Sequence, residues 1–245
     1  MALETGSPLK QLAARFPAGA PVTLRELKSL GVSSQLAYWY ANNGWLERLG
    51  RGVFVRDRSQ LDLRASLFAL EQLGRSFHVG GRTALDWRGV RHFLRQREPV
   101  ALYGTEPVAL PSWLTSRFEV AYRRKHLFRC EAAEQLALSR LEGELRGPLV
   151  AEPERAILEV LSEVPQRQSV EEARLLMEGQ LTLRPQLLQR LLAGCTNVKT
   201  VRLFLTWSRE LSLPHLAKLD ASKLPKGSNS RYIYRTPHTT LVLKP

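Results

Sequence analysis

Cysteine is scarce in this sequence. Among 245 residues there are two cysteines, Cys130 and Cys195, and they lie far apart without a companion at Cys-x-x-Cys spacing. A disulfide framework needs more thiols, and a zinc ribbon needs closely spaced pairs of them. Both are therefore excluded, and we expect two reduced, buried thiols.

The chain also lacks a long hydrophobic run. No apolar stretch approaches the roughly 20 residues that cross a bilayer, and the first six residues have neither the basic nor the apolar region of a secretion signal. With 44% hydrophobic residues, the chain can still bury a core. We therefore expect a folded cytoplasmic protein that binds no membrane.

Catalytic motifs are missing as well. The five histidines never occur at His-x-x-x-His or His-Glu-x-x-His spacing, and no Gly-x-Ser-x-Gly element is present. Gly80-Gly81 could imitate a phosphate-binding turn, but no Gly-Lys-Ser/Thr follows it, which favours an ordinary tight turn. Asp220 and Lys223 resemble a nuclease pair without the second acidic partner of two-metal chemistry. We expect no enzyme activity, no cofactor and no metal.

Acidic residues are outnumbered by basic ones. The sequence has 36 Lys and Arg against 23 Asp and Glu, a formal net charge of +13. The excess is uneven, because acidic residues predominate between positions 131 and 200 while both flanking regions are basic. A charge of this sign and size favours polyanions, and nucleic acid above all, as partners.

The first 60 residues carry the pattern of a winged helix-turn-helix. Ser7 is suited to cap a helix with Pro8 at its first position, and Thr23 with Glu26 forms the capping box of a second one. After a short turn, Ser33 caps a third helix. Two short helices joined this tightly predict a helix-turn-helix.

The third helix has an unusual outer face. At helical spacing, Leu36, Ala37 and Tyr40 share the inner face. The opposite face carries hydroxyl, amide and aromatic groups but no acid: Ser34, Gln35, Tyr38, Trp39 and Asn42. Amides can read adenine edges, and tyrosine and tryptophan can contact phosphates and sugars, so we predict that this face binds double-stranded DNA. The alternative is that Tyr38 and Trp39 are core aromatics.

A short hairpin follows this helix. Residues 45–49 and 53–56 read as two strands around the tip Gly50-Arg51-Gly52. A hairpin in this place is a wing, and Arg48, Arg51 and Arg56 would reach a phosphate or the minor groove. The alternative is an ordinary solvated hairpin tip.

The remaining chain alternates strands and helices. A capped helix near Asp62 precedes a strand, helix and strand region that ends near Tyr122, and helices dominate after that. Pro153 is suited to the first position of one of these helices, Ser169 with Glu172 to the cap of a second, and Asn197 begins a third. The predicted fold class is α+β, with an N-terminal winged helix-turn-helix domain (1–60) and a mixed α/β C-terminal domain with several helices (61–245). A subdivision of the second domain near 150–165 stays open.

Six segments carry a resemblance to one known family. They are GVSSQLAY (31–38), GWLERLGRGVF (44–54), VGGRTAL (79–85), PERAILE (153–159), LTLRP (181–185) and VKTVRLFL (198–205). Together they resemble the AbiEi-type antitoxins, the regulatory halves of type IV toxin-antitoxin operons. Two features depart from the family pattern: Glu152 stands where a capping Ser or Thr is expected, and the tail from Arg235 to Pro245 matches poorly, which leaves the role of the chain after Ser230 open.

The resemblance implies a transcriptional autorepressor. The winged domain would bind inverted repeats in its own promoter, and the C-terminal domain would contribute to repression and to protection from the toxin. That toxin would be an AbiEii-type nucleotidyltransferase, countered without a stable complex. Because the sequence has no heptad pattern that would indicate a dimer, we expect monomers that bind the repeats cooperatively.

Basic residues recur in the last part of the chain. We predict that four of them form an antitoxin surface or a second nucleic-acid surface, for DNA or RNA: Lys199, Arg202, Lys223 and Lys226. The alternative is a solvated face. A different class of function also stays open, namely an RNA-directed enzyme or processing factor that uses the winged domain for targeting.

Overall fold

The computed structural model of the chain describes residues 8–90, 99–225, 227, 232–235 and 240–243. Its helices are α1 (Pro8–Arg15), α2 (Leu24–Ser29), α3 (Ser34–Asn42), α4 (Leu63–Gln72), α5 (Gly81–Trp87), α6 (Ser112–Thr115), α7 (Glu131–Glu134), α8 (Pro153–Glu163), α9 (Val170–Glu178), α10 (Pro185–Gly194) and α11 (Val198–Glu210). Its strands are β1 (Val22–Thr23), β2 (Glu47–Gly50), β3 (Val53–Val55), β4 (His78–Val79), β5 (Val100–Gly104), β6 (Val120–Arg124), β7 (Leu138–Ser139), β8 (Val150–Ala151), β9 (Tyr232–Arg235) and β10 (Thr240–Leu243). Three short 3-10 helices complete them: Arg58–Gln60, Leu216–Lys218 and Ala221–Lys223.

The chain divides into two compact units. The first consists of the residues up to Ser76 together with two later segments, Val108–Val120 and Glu142–Pro148. The second consists of the rest of the chain. The first unit is thus discontinuous in sequence and extends beyond residues 1–60, which no local pattern of the sequence indicates.

The first unit contains a winged helix-turn-helix, and the α+β class is confirmed. The capping box that begins α2 is present, with the Glu26 amide donating to Thr23 Oγ1 and the Glu26 carboxylate accepting from the Thr23 amide. Ser33 caps α3 by accepting from the Leu36 amide at 3.1 Å. Strands β1, β3 and β2 form an antiparallel sheet in that order, and the β2–β3 hairpin is the wing.

A single hydrophobic cluster holds the helices and the wing of this unit together. Its buried members are Leu12, Phe16, Val22, Leu27, Leu30, Val32, Ala37, Tyr40, Leu46 and Phe54. They come from α1, β1, α2, α3 and the wing, so each of these elements buries its apolar face in the same core. The core fixes which face of α3 remains outside.

The second unit is built around a five-stranded mixed sheet and a central helix. The strand order is β6-β5-β4-β8-β7, with β4 parallel to β8 and antiparallel to β5. Helix α8 contacts α5, α9, α10 and α11, and every residue from Glu154 to Glu163 is buried. Strands β9 and β10 form a separate antiparallel pair.

Most helix beginnings in the sequence interpretation are confirmed. Asp62, Ser169 and Asn197 accept from the amide three residues later, and thereby cap α4, α9 and α11. Pro153 stands at the first turn of α8, as predicted. The proposed cap of α1 at Ser7 lies outside the described residues.

Candidate nucleic-acid interface

Helix α3 is fixed by its inner face. Ala37 and Tyr40 are buried in the cluster of the first unit, and the half-buried Leu36 packs against it. These are the three residues whose spacing predicted the inner face. Because the helix is held along this side, the opposite side chains have defined positions toward solvent.

The outer face of α3 is polar and aromatic, as predicted. Gln35 and Asn42 are exposed, Ser34 is half-buried, and Trp39 is 54% exposed. No acidic residue occurs anywhere in α3. The Trp39 ring meets Tyr40 edge-on with the centroids 5.7 Å apart, but more than half of the side chain stays exposed and is available for contact with a partner.

Tyr38 joins the outer face of α3 to the wing. It is half-buried, and its ring meets Phe54 of β3 edge-on with the centroids 5.4 Å apart. The Arg48 guanidinium carbon lies 5.5 Å from the centroid of the Tyr38 ring, within the range of a cation-π contact. Tyr38 is therefore partly a packing residue, and it is less exposed than Trp39.

The wing presents two of the three predicted arginines. Arg51 is exposed at the turn, where Gly52 adopts a φ of +73° that an L side chain rarely accepts. Arg48 is exposed on β2, and its Nε lies 3.4 Å from the Gly50 carbonyl. We call the set Ser34, Gln35, Tyr38, Trp39, Asn42, Arg48 and Arg51 the helix–wing surface.

Arg56 departs from the prediction. Its side chain is half-buried, and its guanidinium donates to the Phe16 carbonyl at 2.7 Å. An arginine used in this way ties β3 to the end of α1 instead of reaching outward. The period-two alternation of the hairpin could not reveal this contact, because Phe16 is 40 residues away in sequence.

Trp45 is an exposed aromatic that the sequence interpretation placed in the first strand of the hairpin. That strand begins only at Glu47, and Trp45 is 57% exposed. Its amide donates to the Tyr40 carbonyl at 2.9 Å, so it belongs to the turn that ends α3. Gly44, with a φ of +76°, was the signal that the helix termination continued to this point.

The second predicted surface is not assembled as expected. Arg202 is buried, with 8% exposure. The half-buried Lys199 donates to the Val164 carbonyl, and burial, with the neighbouring charge of Lys125, lowers the pKa of its ammonium group. Arg202 lies on the buried side of α11, whereas Lys199 lies at the edge of that side and bonds a backbone carbonyl.

The two remaining members of that set differ. Lys223 is exposed and pairs with Asp220 at 3.0 Å, three residues earlier. Asp220 caps a 3-10 helix, and the hydrogen bond from the Ser222 hydroxyl is the main reason that its pKa falls to about 2. Lys226 lies outside the described residues. Asp220 and Lys223 thus form a local turn.

The Gly80-Gly81 turn does bind an anion, but the anion is a side chain of the protein. The Gly81 amide donates to Glu159 Oε2 at 2.8 Å, and the other oxygen of Glu159 accepts from Arg155 Nε at 2.8 Å and lies 2.7 Å from His78 Nε2. A Cβ atom on Gly80 would lie 2.3 Å from Glu159 Oε2, so the turn leaves no room for a side chain. The interpretation as a tight turn is consistent with this geometry.

The environment of Glu159 keeps it ionised. Burial alone would raise the pKa of this carboxyl, but the charge of His78, its hydrogen bond, and Arg155 together lower it to about 2. All three side chains are nearly inaccessible. The cluster links β4 and α5 to α8.

Neither a metal centre nor a membrane span is found in the part of the chain that the structure describes. No group of three or more His, Cys, Asp or Glu residues in it could hold a metal ion. Its helices are all too short or too polar to traverse a bilayer.

Comparison with known proteins identifies two matching family models. Residues 5–96 match the model described as "Transcriptional regulator, AbiEi antitoxin N-terminal domain", and residues 97–242 match "Transcriptional regulator, AbiEi antitoxin, Type IV TA system". Among solved structures, the chain is similar to the RV2827C protein from Mycobacterium tuberculosis, with a TM-score of 0.53 and 17% identity over 91% of this chain and 86% of that one. At this identity the likeness shows the fold alone. No curated protein matches the sequence.

Proposed function

Because the chain belongs to the AbiEi antitoxin family, the transcriptional regulators of type IV toxin-antitoxin systems, we propose that it represses its own operon by binding duplex DNA. The helix–wing surface is the DNA-binding site in this proposal. The operator consists of inverted repeats in the promoter, each bound by one winged unit. The observation that carries the proposal is an exposed, acid-free face on α3 with two exposed arginines on the neighbouring wing.

The chemistry of this surface suits a DNA groove. Gln35 and Asn42 offer amides that can bond base edges, and an α-helix fits the major groove. Trp39 offers a large apolar face for sugars or thymine methyl groups. Arg48 and Arg51 supply positive charge for phosphates or a narrow minor groove. Base contacts and phosphate contacts thus come from different elements of one unit.

Arg51→Ala should weaken binding to all DNA sequences alike and flatten the salt dependence by about one unit of slope. The reason is that a phosphate contact releases a counterion but carries no base information. The measurement is fluorescence anisotropy with a promoter fragment and a scrambled fragment over a range of salt concentrations. Lys10→Ala, which also removes one exposed cation, is the charge control.

Wild-type protein that failed to prefer the promoter fragment would refute the proposed function. An Arg51→Ala slope equal to that of the wild type would remove the wing from the DNA site while leaving α3 in place. Binding of the promoter fragment as RNA but not as DNA would instead favour a factor directed to RNA.

The second half of the proposal concerns the toxin. We infer that the protein also counters a nucleotidyltransferase toxin of the same operon, acts without catalysis, and forms no stable complex with the toxin. Membership of a type IV antitoxin family supports a toxin as functional partner. The burial of Arg202 and the hydrogen bond from the half-buried Lys199 to the Val164 carbonyl make both residues unsuitable as the protective surface, so in this proposal other residues provide the protection.

Repression and protection should be separable. With the toxin expressed from an unrelated promoter, a variant with alanine at Gln35, Trp39 and Asn42 should still restore growth, because these exposed substitutions leave the second unit intact. The measurement is colony formation with and without toxin induction, with the wild-type chain as the positive control. Loss of rescue by a folded variant would mean that protection itself needs the helix–wing surface.

A further inference from the structure

A late segment of the chain helps to form the winged unit. Residues Glu142–Pro148, here called the clasp, belong to the first unit. Two ion pairs anchor the clasp: Glu144 pairs with Arg64 of α4, and Arg146 pairs with Glu26 of α2. Neither pair joins residues that are close in sequence.

Arg146 contacts several elements of the unit at once. Besides its ion pair with Glu26, the guanidinium donates to the Pro21 carbonyl at 2.7 Å. Its central carbon lies 4.2 Å from the ring centroid of Phe16, at the end of α1, and 5.2 Å from that of Phe68 in α4. The side chain is only 19% exposed. A planar guanidinium can bond a carboxylate and a carbonyl while its face rests on aromatic rings, which an ammonium group cannot do.

The partner of Arg146 is the carboxylate that caps the helix-turn-helix. Glu26 Oε2 accepts from the Thr23 amide at 2.8 Å and lies 3.0 Å from the Thr23 hydroxyl. Its other oxygen, Oε1, binds Arg146. Both oxygens of Glu26 are therefore occupied, one by the capping box of α2 and the other by the clasp. The direction in which α2 begins depends on both.

We propose that Arg146 is a positioning residue for DNA binding, which holds α2 in the orientation that α3 needs in order to enter the groove. The inference rests on the proposed function. Helix α3 packs directly on α2, and a recognition helix must be held rigidly for its base contacts to form. Without Arg146, the orientation of α2 that permits DNA binding becomes one of several. The apparent affinity for DNA then falls in proportion to the fraction of molecules in that orientation.

The test uses full-length Arg146→Met protein and the promoter fragment. We expect the dissociation constant for the promoter to rise about tenfold with an unchanged salt slope, because Arg146 does not itself neutralise a phosphate. Arg64→Met is the matched control: it breaks the other ion pair of the clasp, removes the same charge, and should leave promoter affinity unchanged. Thermal unfolding of both variants separates a loss of stability from a loss of positioning.

A double-mutant cycle supplies the second readout. Glu26→Gln and Arg146→Met should each weaken promoter binding, and the combined variant should be no weaker than the poorer single variant, because both break the same contact. If Arg146→Met does not fold, Arg146→Lys is used instead. This variant keeps the positive charge but loses the planar guanidinium. It should bind the promoter several-fold more weakly than the wild type although its melting temperature is the same.

Three outcomes would overturn the assignment. They are unchanged promoter affinity in a folded Arg146 variant, a salt slope lowered by about one unit, which would make Arg146 a direct phosphate contact, and additive effects in the cycle with Glu26. Wild-type binding to the promoter is measured first. A failure of the proposed function is thereby distinguished from a failure of this assignment.

Discussion

Replacing Glu159 by leucine is expected to lower the free energy of unfolding by about 3–5 kcal/mol, a large part of the stability of an ordinary domain. The carboxylate is buried and receives bonds from the Gly81 amide and Arg155, with His78 beside it. Leucine fills similar space but leaves the Gly81 amide and Arg155 Nε without this acceptor. Arg155 keeps its contact with Glu134 at 3.2 Å, so its charge is not left wholly unpaired.

The same carboxylate should give the protein an acid-sensitive stability. The pKa of Glu159 is lowered from 4.5 to about 2 in the folded chain. A carboxyl whose folded pKa is depressed stabilises the fold above its unfolded pKa, and this contribution is lost as the pH falls toward the folded value. The wild-type protein should therefore lose stability as the pH falls from about 4.5 to 2. Over the same range, the difference in the free energy of unfolding between the wild type and Glu159→Leu should become smaller.

Urea unfolding of the full chain at several pH values measures both effects. Glu210→Leu is the control, since it makes the same substitution in an exposed ion pair with Arg174. Exposed pairs contribute less than about 1 kcal/mol, so this control should be nearly neutral. If Glu159→Leu lowered the free energy of unfolding no more than Glu210→Leu does, the cluster would not hold β4 and α5 to α8.

The helix boundaries could be predicted from the sequence because their causes are local. A capping side chain bonds an amide three residues away, so Thr23, Ser33, Ser169 and Asn197 act within one turn of the chain. The inner face of α3 follows from spacing for the same reason. Local geometry also predicted the wing, whose strands are joined by a short turn.

The positions and partners of individual charged side chains could not be predicted in this way. Arg56, Lys199 and Arg146 look like solvated cations in the sequence, yet each donates to a backbone carbonyl that is distant along the chain. Whether a cation faces water or a carbonyl depends on tertiary packing, which a single sequence pattern does not contain. The discontinuous first unit was missed for the same reason, since its clasp is held by long-range ion pairs.

The role of the Gly80-Gly81 turn depends on a second motif that is distant in sequence. Two of the segments that carry the family resemblance, VGGRTAL and PERAILE, meet where the Gly81 amide donates to Glu159. Gly81 has a φ of +55°, and a Cβ there would lie 2.8 Å from the Tyr103 hydroxyl. The glycines and the glutamate are thus parts of one contact, which is consistent with the interpretation of Gly80-Gly81 as a tight turn.

The largest loss of function is expected from the combined Gln35→Ala, Trp39→Ala and Asn42→Ala variant. Each good bidentate base contact contributes about 1–3 kcal/mol of discrimination, so loss of the two amides alone, about 2–6 kcal/mol together, should weaken promoter binding by roughly 30-fold to 2 × 10⁴-fold, and loss of Trp39 should add to this. Binding to scrambled DNA should change much less, because Arg48 and Arg51 remain. The salt slope should also remain close to that of the wild type.

The measurement is a competition titration with promoter and scrambled fragments, which reports the specificity ratio directly. Folding should survive, since the three side chains are exposed and alanine is a strong helix former. Gln186→Ala, an exposed change on α10, is the control for substitution elsewhere on the chain. Equal weakening on promoter and scrambled DNA would contradict base readout by α3, because a face that only contacts the backbone loses affinity for every sequence alike.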